Sequence, residues 1–144
     1  EELHLCDVPG LTGTLPEAFV EMANLRVLDL SGNTGLTGPL PANWTDIMTL
    51  RELDLSGVQV ATLSSMSIPV PTQLQDSIEV LRLRECGFFG ELPEGLTQYV
   101  TLRVLDVAKN GLTGTLPLSL TSMADLEVLD VSTNSLTGSI PPSY

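Results

Sequence analysis

The chain repeats itself, and that fact restricts its fold more than any other. Leucine or isoleucine opens a unit at Leu25, Leu50, Ile78, Leu102 and Leu126, at spacings of 25, 28, 24 and 24 residues. A partial unit carrying Leu3 and Leu5 precedes them, so units start near 1, 25, 50, 78, 102 and 126. Each reads L-x-x-L-x-L, a variable junction, then L-T-G-x-L-P and a weaker apolar stretch. Leu28 and Leu30, Leu53 and Leu55, Leu81 and Leu83, Leu105 and Val107, and Leu129 and Val131 alternate with polar or small residues. That alternation is a short strand with one face buried. A unit of about two dozen residues has no room for hairpins and helices in every repeat, so stacked coils are the economical solution, each burying its leucines on the next.

Composition narrows the function classes. The 144 residues suit one domain, and with 42% hydrophobic residues the chain can bury a core. The formal net charge is −12, and only Arg26, Arg51, Arg82, Arg84, Arg103 and Lys109 are basic. Such a balance argues against nucleic acid, whose phosphates need basic residues, and against anionic lipid. No apolar run approaches the roughly 20 residues that span a bilayer, so no direct membrane insertion by this segment is expected. The sequence opens on Glu1 and Glu2 and stops inside a unit at Tyr144. A monomeric module cut from a longer protein is the expectation.

Length variation has a fixed place. The next unit's first apolar residue always stands nine positions after the motif proline: Pro16 to Leu25, Pro41 to Leu50, Pro69 to Ile78, Pro93 to Leu102, Pro117 to Leu126. The third unit has lost its Thr-Gly and carries four extra residues, placed within 61–67 and expected to protrude as a loop at the strand's C-terminal edge. Asn33, Asn110 and Asn134 fill the turn after the strand, where an inward amide can satisfy backbone groups. Val8, Val58 and Cys86 hold that slot elsewhere. A valine cannot make those bonds, so its turn should be rebuilt or hydrated.

These motifs match the leucine-rich repeat pattern, and L-T-G-x-[IL]-P resembles its plant-type subclass. That subclass includes plant receptor-like kinase ectodomains and polygalacturonase-inhibiting proteins, and also kinetoplastid surface antigens and proteophosphoglycans. The stretches "LPANWTDIMTL" and "LDLSGVQV" lean toward the kinetoplastid group, "LDVSTNSLTGSIP" toward plants. The resemblance implies a right-handed solenoid with a curved parallel β-sheet on its concave side and irregular or 3₁₀ turns on its convex side. It implies a non-enzymatic module of a secreted or cell-surface protein that binds a protein or peptide. Adhesion and host interaction follow from the kinetoplastid likeness, ligand sensing from the plant one. The alternative is a rigid spacer displaying glycans, since a fold alone does not name a ligand.

On the concave face the strand pattern exposes three columns. The central one is His4, Asp29, Asp54, Arg82, Asp106 and Asp130. The inner one is Glu2, Val27, Glu52, Val80, Val104 and Val128. The outer one is Cys6, Ser31, Ser56, Arg84, Ala108 and Ser132, with Glu85 and Lys109 just beyond. Neighbours in a parallel sheet sit about 4.8 Å apart, so Asp29 and Asp54 should repel, and Arg82 should offset both Asp54 and Asp106. The aspartates belong to the ordinary repeat and read as solvated scaffold. Arg82 and Arg84 depart from it and are the better candidates for meeting a partner, with Asp54, Asp106, Glu85, Lys109, Val80 and Val104 around them; the bland reading is that they only neutralise their neighbours.

Elsewhere the chemistry is sparse. Asn43-Trp44-Thr45 is an N-glycosylation sequon. Trp44, the sole tryptophan, reads as a packed aromatic of the convex side. Cys6 and Cys86 lie three units apart, about 14 Å at the sheet spacing and beyond disulfide reach, so no bond between them is expected. Cys86 should be a buried thiol. One histidine and no nucleophile–base spacing leave no catalytic residue to nominate, and neither a cofactor nor a metal is expected.

Overall fold

The computed structural model describes residues 1–41, 43–44, 47–60 and 76–142. Each L-x-L becomes a three-residue strand: β1 (Glu2–His4), β3 (Val27–Asp29), β5 (Glu52–Asp54), β6 (Val80–Arg82), β8 (Val104–Asp106) and β10 (Val128–Asp130). They form one six-stranded parallel sheet in chain order. The pairing register puts Glu2 against Val27, Val27 against Glu52, Glu52 against Val80 and Val80 against Val104, so the columns read from the sequence are the columns of the sheet. Leucines at the buried positions stack in two rows, and Leu28, Leu30, Leu55, Leu83, Leu105 and Val107 are almost fully enclosed. Burying one such side chain is worth roughly 1.5–3 kcal/mol, which makes this stack the main stabilising element.

The L-T-G half forms a second, shorter set of pairings. There β2 (Gly13–Thr14) runs parallel to β4 (Leu36–Thr37), and β7 (Phe89–Glu91) to β9 (Gly111–Thr113), with bridges from Thr37 to Gln59 and from Thr115 to Thr137. The motif glycines Gly13, Gly38, Gly90, Gly114 and Gly138 all have φ between 80° and 108°, a backbone region that side chains with a Cβ resist. The motif proline then starts the convex segment. Pro16, Pro93 and Pro117 sit extended ahead of 3₁₀ turns at Glu17–Glu21, Glu94–Gln98 and Leu118–Ser122. Trp44 is buried on this side, its ring centre 5.6 Å from that of Phe19 and tilted 35° to it, and its indole N–H donates to the Pro16 carbonyl at 2.9 Å.

The turn asparagines work as side-chain rungs between coils. Asn110 Oδ1 accepts from the amides of Cys86 and Phe88, while its Nδ2 donates to Leu83 in the preceding coil and Val107 in its own. Asn33 and Asn134 repeat the arrangement with Val8, Leu5 and Leu30, and with Leu112, Val107 and Val131. At Val58 the turn is rebuilt: its amide folds back to the Leu55 carbonyl at 2.9 Å. Cys86 keeps half of the asparagine's role, its buried Sγ lying 3.0 Å from the Leu55 carbonyl of the preceding coil. The four-residue insertion at 61–67 lies outside the described residues.

Candidate functional site

The concave face is built on short strands whose alternate residues must point outward once the leucines point in. Four of its central carboxylates have a structural duty. Asp29, Asp54, Asp106 and Asp130 each accept, at 2.9 Å, the backbone N–H two residues on, at Ser31, Ser56, Ala108 and Ser132. Asp29 also takes the Ser31 hydroxyl at 2.6 Å. Burial pushes the Asp29 carboxyl up, but the Ser31 hydroxyl and amide with His4 beside it outweigh that, and it lies below the usual carboxylate range. The hydrogen bonds from Ser132 hold Asp130 low as well. The aspartate column is scaffold first: each member ties down a strand exit.

Arg82 interrupts the column. It offers no carboxylate, so among the described residues the Arg84 N–H donates to no capping side chain like those at the other strand exits. The two guanidinium groups then diverge along the solenoid. Arg82 swings toward the preceding coil, donating to Glu52 and lying 4.0 Å from Asp54. Arg84 reaches the other way, across the small Ala108, to 3.8 Å from Asp106 and 3.5 Å from Asp130. The expectation that Arg82 would offset Asp106 is therefore corrected: Glu52 in the inner column gives Arg82 a nearer carboxylate, and Arg84 serves Asp106 instead. Both arginine side chains remain 36% exposed. Lys109 lies 3.5 Å from Glu85, beyond the outer column.

Along one wall of this centre run Val80, Val104 and Val128, in register on adjacent strands. On the other side a depression of about 270 Å³ lies beside Arg84 and Glu85, floored by Gly32, Ser56 and Gly57 and walled by Thr34 and Gln59. The turn position after each strand is left-handed in every coil, and coils two and three meet it with glycine, which leaves the depression open. Of the nominated residues, Arg82 pairs with Asp54 and Arg84 with Asp106, in two clusters that diverge beside Val80 and Val104, while Lys109 pairs with Glu85. Asn43 sits apart on the convex side, its Nδ2 donating to Glu17 and its Oδ1 buried without a partner among the described residues.

A family model for the leucine-rich repeat matches residues 24–46, 101–123 and 125–144. A plant peptide hormone receptor, RGFR1, in complex with RGF2, superposes with a TM-score of 0.83 at 27% identity, over 98% of this chain and 22% of that one. The ectodomain of the Arabidopsis receptor kinase HAESA, in complex with an IDA peptide hormone ligand, gives 0.74 at 35% identity, over 90% of this chain and 21% of that one. A repeat protein of Leptospira interrogans gives 0.76 at 27% identity, over 93% of this chain and 31% of that one. The fold is a plant-type leucine-rich repeat solenoid. The chain spans about a fifth of the length of the two plant receptors it resembles. No curated relative matches the sequence.

The repeat also stacks a column that sequence reasoning passed over. The residue after each unit's first apolar position is Arg26, Arg51, Glu79, Arg103 or Glu127. Arg51 lies 3.6 Å from Glu79, and Arg103 makes a two-pronged contact with Glu127 at 3.1 and 2.6 Å. Its signal was present as a fixed position in every repeat.

Proposed function

We propose that this solenoid is a non-catalytic recognition module that binds a protein or peptide on its concave face, with Arg82 and Arg84 as the point of contact. One observation carries the reading: Arg82 interrupts the column of strand-capping aspartates, and its guanidinium and that of Arg84 diverge along the solenoid from adjacent outward positions of one strand end. That cluster offers hydrogen-bond donors, so the matching partner group is an acceptor such as a carboxylate or carbonyl oxygen. The adjoining valines Val80 and Val104 supply apolar contact, while Asp54, Asp106, Glu85 and Lys109 rim the site and set its charge. The peptide-bound receptors among the similar structures support ligand sensing over adhesion. By the same analogy the module belongs to the extracellular part of a secreted or surface protein longer than this chain.

Panning a displayed library of short peptides on the unmodified chain and on the Arg82→Ala/Arg84→Ala variant tests this. Peptides held by the first and lost by the second are the expected result. Equal retention by both would move the site elsewhere. A second reading, the rigid spacer carrying a glycan at Asn43, is favoured by the engagement of both arginines with the chain's own carboxylates. It predicts that no peptide is retained, and that Asn43→Gln removes a glycosidase-sensitive mass shift from the protein secreted by eukaryotic cells.

A further inference from the structure

The column at the entry to the strands is a continuous ladder. Glu1, Arg26, Arg51, Glu79, Arg103 and Glu127 follow one another across the coils, and from Arg26 onward each backbone N–H donates to the carbonyl of the member before it, at 2.7 or 2.8 Å. Successive members therefore keep the sheet spacing of about 4.8 Å. Each arginine that finds a carboxylate in the ladder finds it in the next coil. Arg51 meets Glu79 at 3.6 Å, and Arg103 meets Glu127 at 2.6 Å. Arg26 meets Arg51 there instead, and like charges at facing positions repel.

The adjoining column offers no substitute. Its members beside this edge are Glu2, Val27 and Glu52. Glu52 accepts from Arg82, and Glu2 lies 3.5 Å from the His4 ring. Of the six basic residues, each except Arg26 lies within 4.0 Å of a carboxylate, and none comes so close to Arg26 among the described residues. Arg26 is exposed. Arg51 also keeps donors to spare. Its Nε faces Glu79 and its Nη1 donates to the Ser77 carbonyl at 3.1 Å, which leaves Nη2 without a partner among the described residues. Three residues ahead of Arg51, at the corner of the turn closed by the Leu50 amide on the Ile47 carbonyl, Met48 is 70% exposed.

We infer that Arg26 and Arg51 form a second recognition point, an anion site at the entry edge of the concave sheet, and that it takes a single Asp or Glu side chain of a protein partner. Two guanidinium forks on adjacent strands match the two oxygens of a carboxylate. The exposed Met48 adds apolar surface that a protein segment can cover and a bare ion cannot. The chain's own charge selects against larger anions. At a net −12, with Glu1 and Glu79 at either end of the arginine pair, a sulfated polysaccharide is repelled along its length, whereas one carboxylate among neutral residues meets the two cations alone. The site is separate from Arg82 and Arg84 and stands whether or not those two meet a partner.

The arginine Nε–H resonances of the full chain, followed by NMR at constant ionic strength, test the site with two probes: the blocked peptide Gly-Ser-Glu-Ser-Gly and its Gln counterpart. Saturable shifts at Arg26 and Arg51 with the Glu peptide are expected, with none at Arg103, whose fork already holds Glu127. The Gln peptide should bind roughly tenfold more weakly, the difference between a charge-assisted and a neutral hydrogen-bonded contact. Arg26→Ala should weaken the Glu peptide to the level of the Gln peptide, and the Arg82→Ala/Arg84→Ala variant should hold it unchanged. Loss of the Glu peptide in that double variant, or its survival in Arg26→Ala, overturns the site. So does a shift at Arg26 that grows linearly and matches the one at Arg103, which would mean that Glu1 already fills the gap. Tighter binding of heparin than of the Glu peptide would overturn the protein partner in favour of a polysaccharide.

Discussion

Arg82 and Asp106 are direct partners in the sheet register, yet the guanidinium turns away from Asp106 to Glu52 one coil earlier. Period and spacing decide which residues become neighbours. They do not decide which neighbour a long side chain selects, because an arginine reaches every column within one coil of its own. The consequence is a concave face whose two cations point apart, Arg82 held by carboxylates of coil three and Arg84 by those of coils five and six.

The two thiols should separate cleanly by reactivity. Cys6 is exposed, while burial pushes the Cys86 thiol up to about 12. Iodoacetamide at about pH 8 is expected to add one label to the native chain, at Cys6, and a second only in denaturant. Mass spectrometry of the native reaction reads this directly, and a second label under native conditions would place Cys86 outside the core.

Acid should weaken the concave face through its aspartates. Asp29 and Asp130 have folded values below the unfolded carboxylate. A depressed folded value contributes stability that is present above the unfolded value, near 3.8, and is lost as pH falls through the folded one. Asp29→Asn removes that linkage at the better shielded of the two sites. Its denaturant midpoint should therefore fall less steeply than that of the unmodified chain from about pH 4 downward, as followed by circular dichroism.

Strand register, the turn asparagines and the burial of Trp44 and Cys86 were legible in the sequence for one physical reason. A repeat that must stack on itself gives every position in the unit one environment, so each copy testifies for the others. What stayed illegible departs from the repeat: the direction of Arg82 and Arg84, and the contact of the Cys86 thiol with the Leu55 carbonyl of the preceding coil. The capping duty of Asp54 and Asp106 was nearly legible, since an aspartate two residues before a small residue recurs along the chain, but the bond runs to a backbone amide that a sequence does not show.

Turn geometry offers a test with opposite signs at equivalent positions. Gly32 and Thr133 occupy the same left-handed turn, at φ 74° and 54°. A Cβ on Gly32 would lie 1.9 Å from Asp7 Oδ1, and the backbone region itself costs about 1–2 kcal/mol for a residue other than glycine. Gly32→Ala should therefore lower the midpoint of thermal unfolding. Thr133→Gly relieves a β-branched residue of that conformation and should raise it or leave it unchanged, the relief being offset in part by glycine's freedom in the unfolded chain.

The rung between coils gives the largest expected effect. Asn110→Ala strands two amides, of Cys86 and Phe88, and takes donors from the carbonyls of Leu83 and Val107. A buried polar group left without a partner costs about 1–3 kcal/mol, so a loss of roughly 3 kcal/mol is expected in urea unfolding. Val58→Asn is the reverse experiment. The site is fully enclosed, its turn amide already folds back to Leu55, and Leu30 of the preceding coil presents a carbonyl to which Asn33 donates. Val107 shows that one carbonyl takes two such rungs, from Asn110 and Asn134. If the introduced amide makes its rung, the step between coils two and three tightens, and exchange at the Leu30 and Gly32 amides slows relative to that at Leu83. Faster exchange there would mean that the rebuilt turn has closed the slot to an amide, and that the valine defines this coil's geometry.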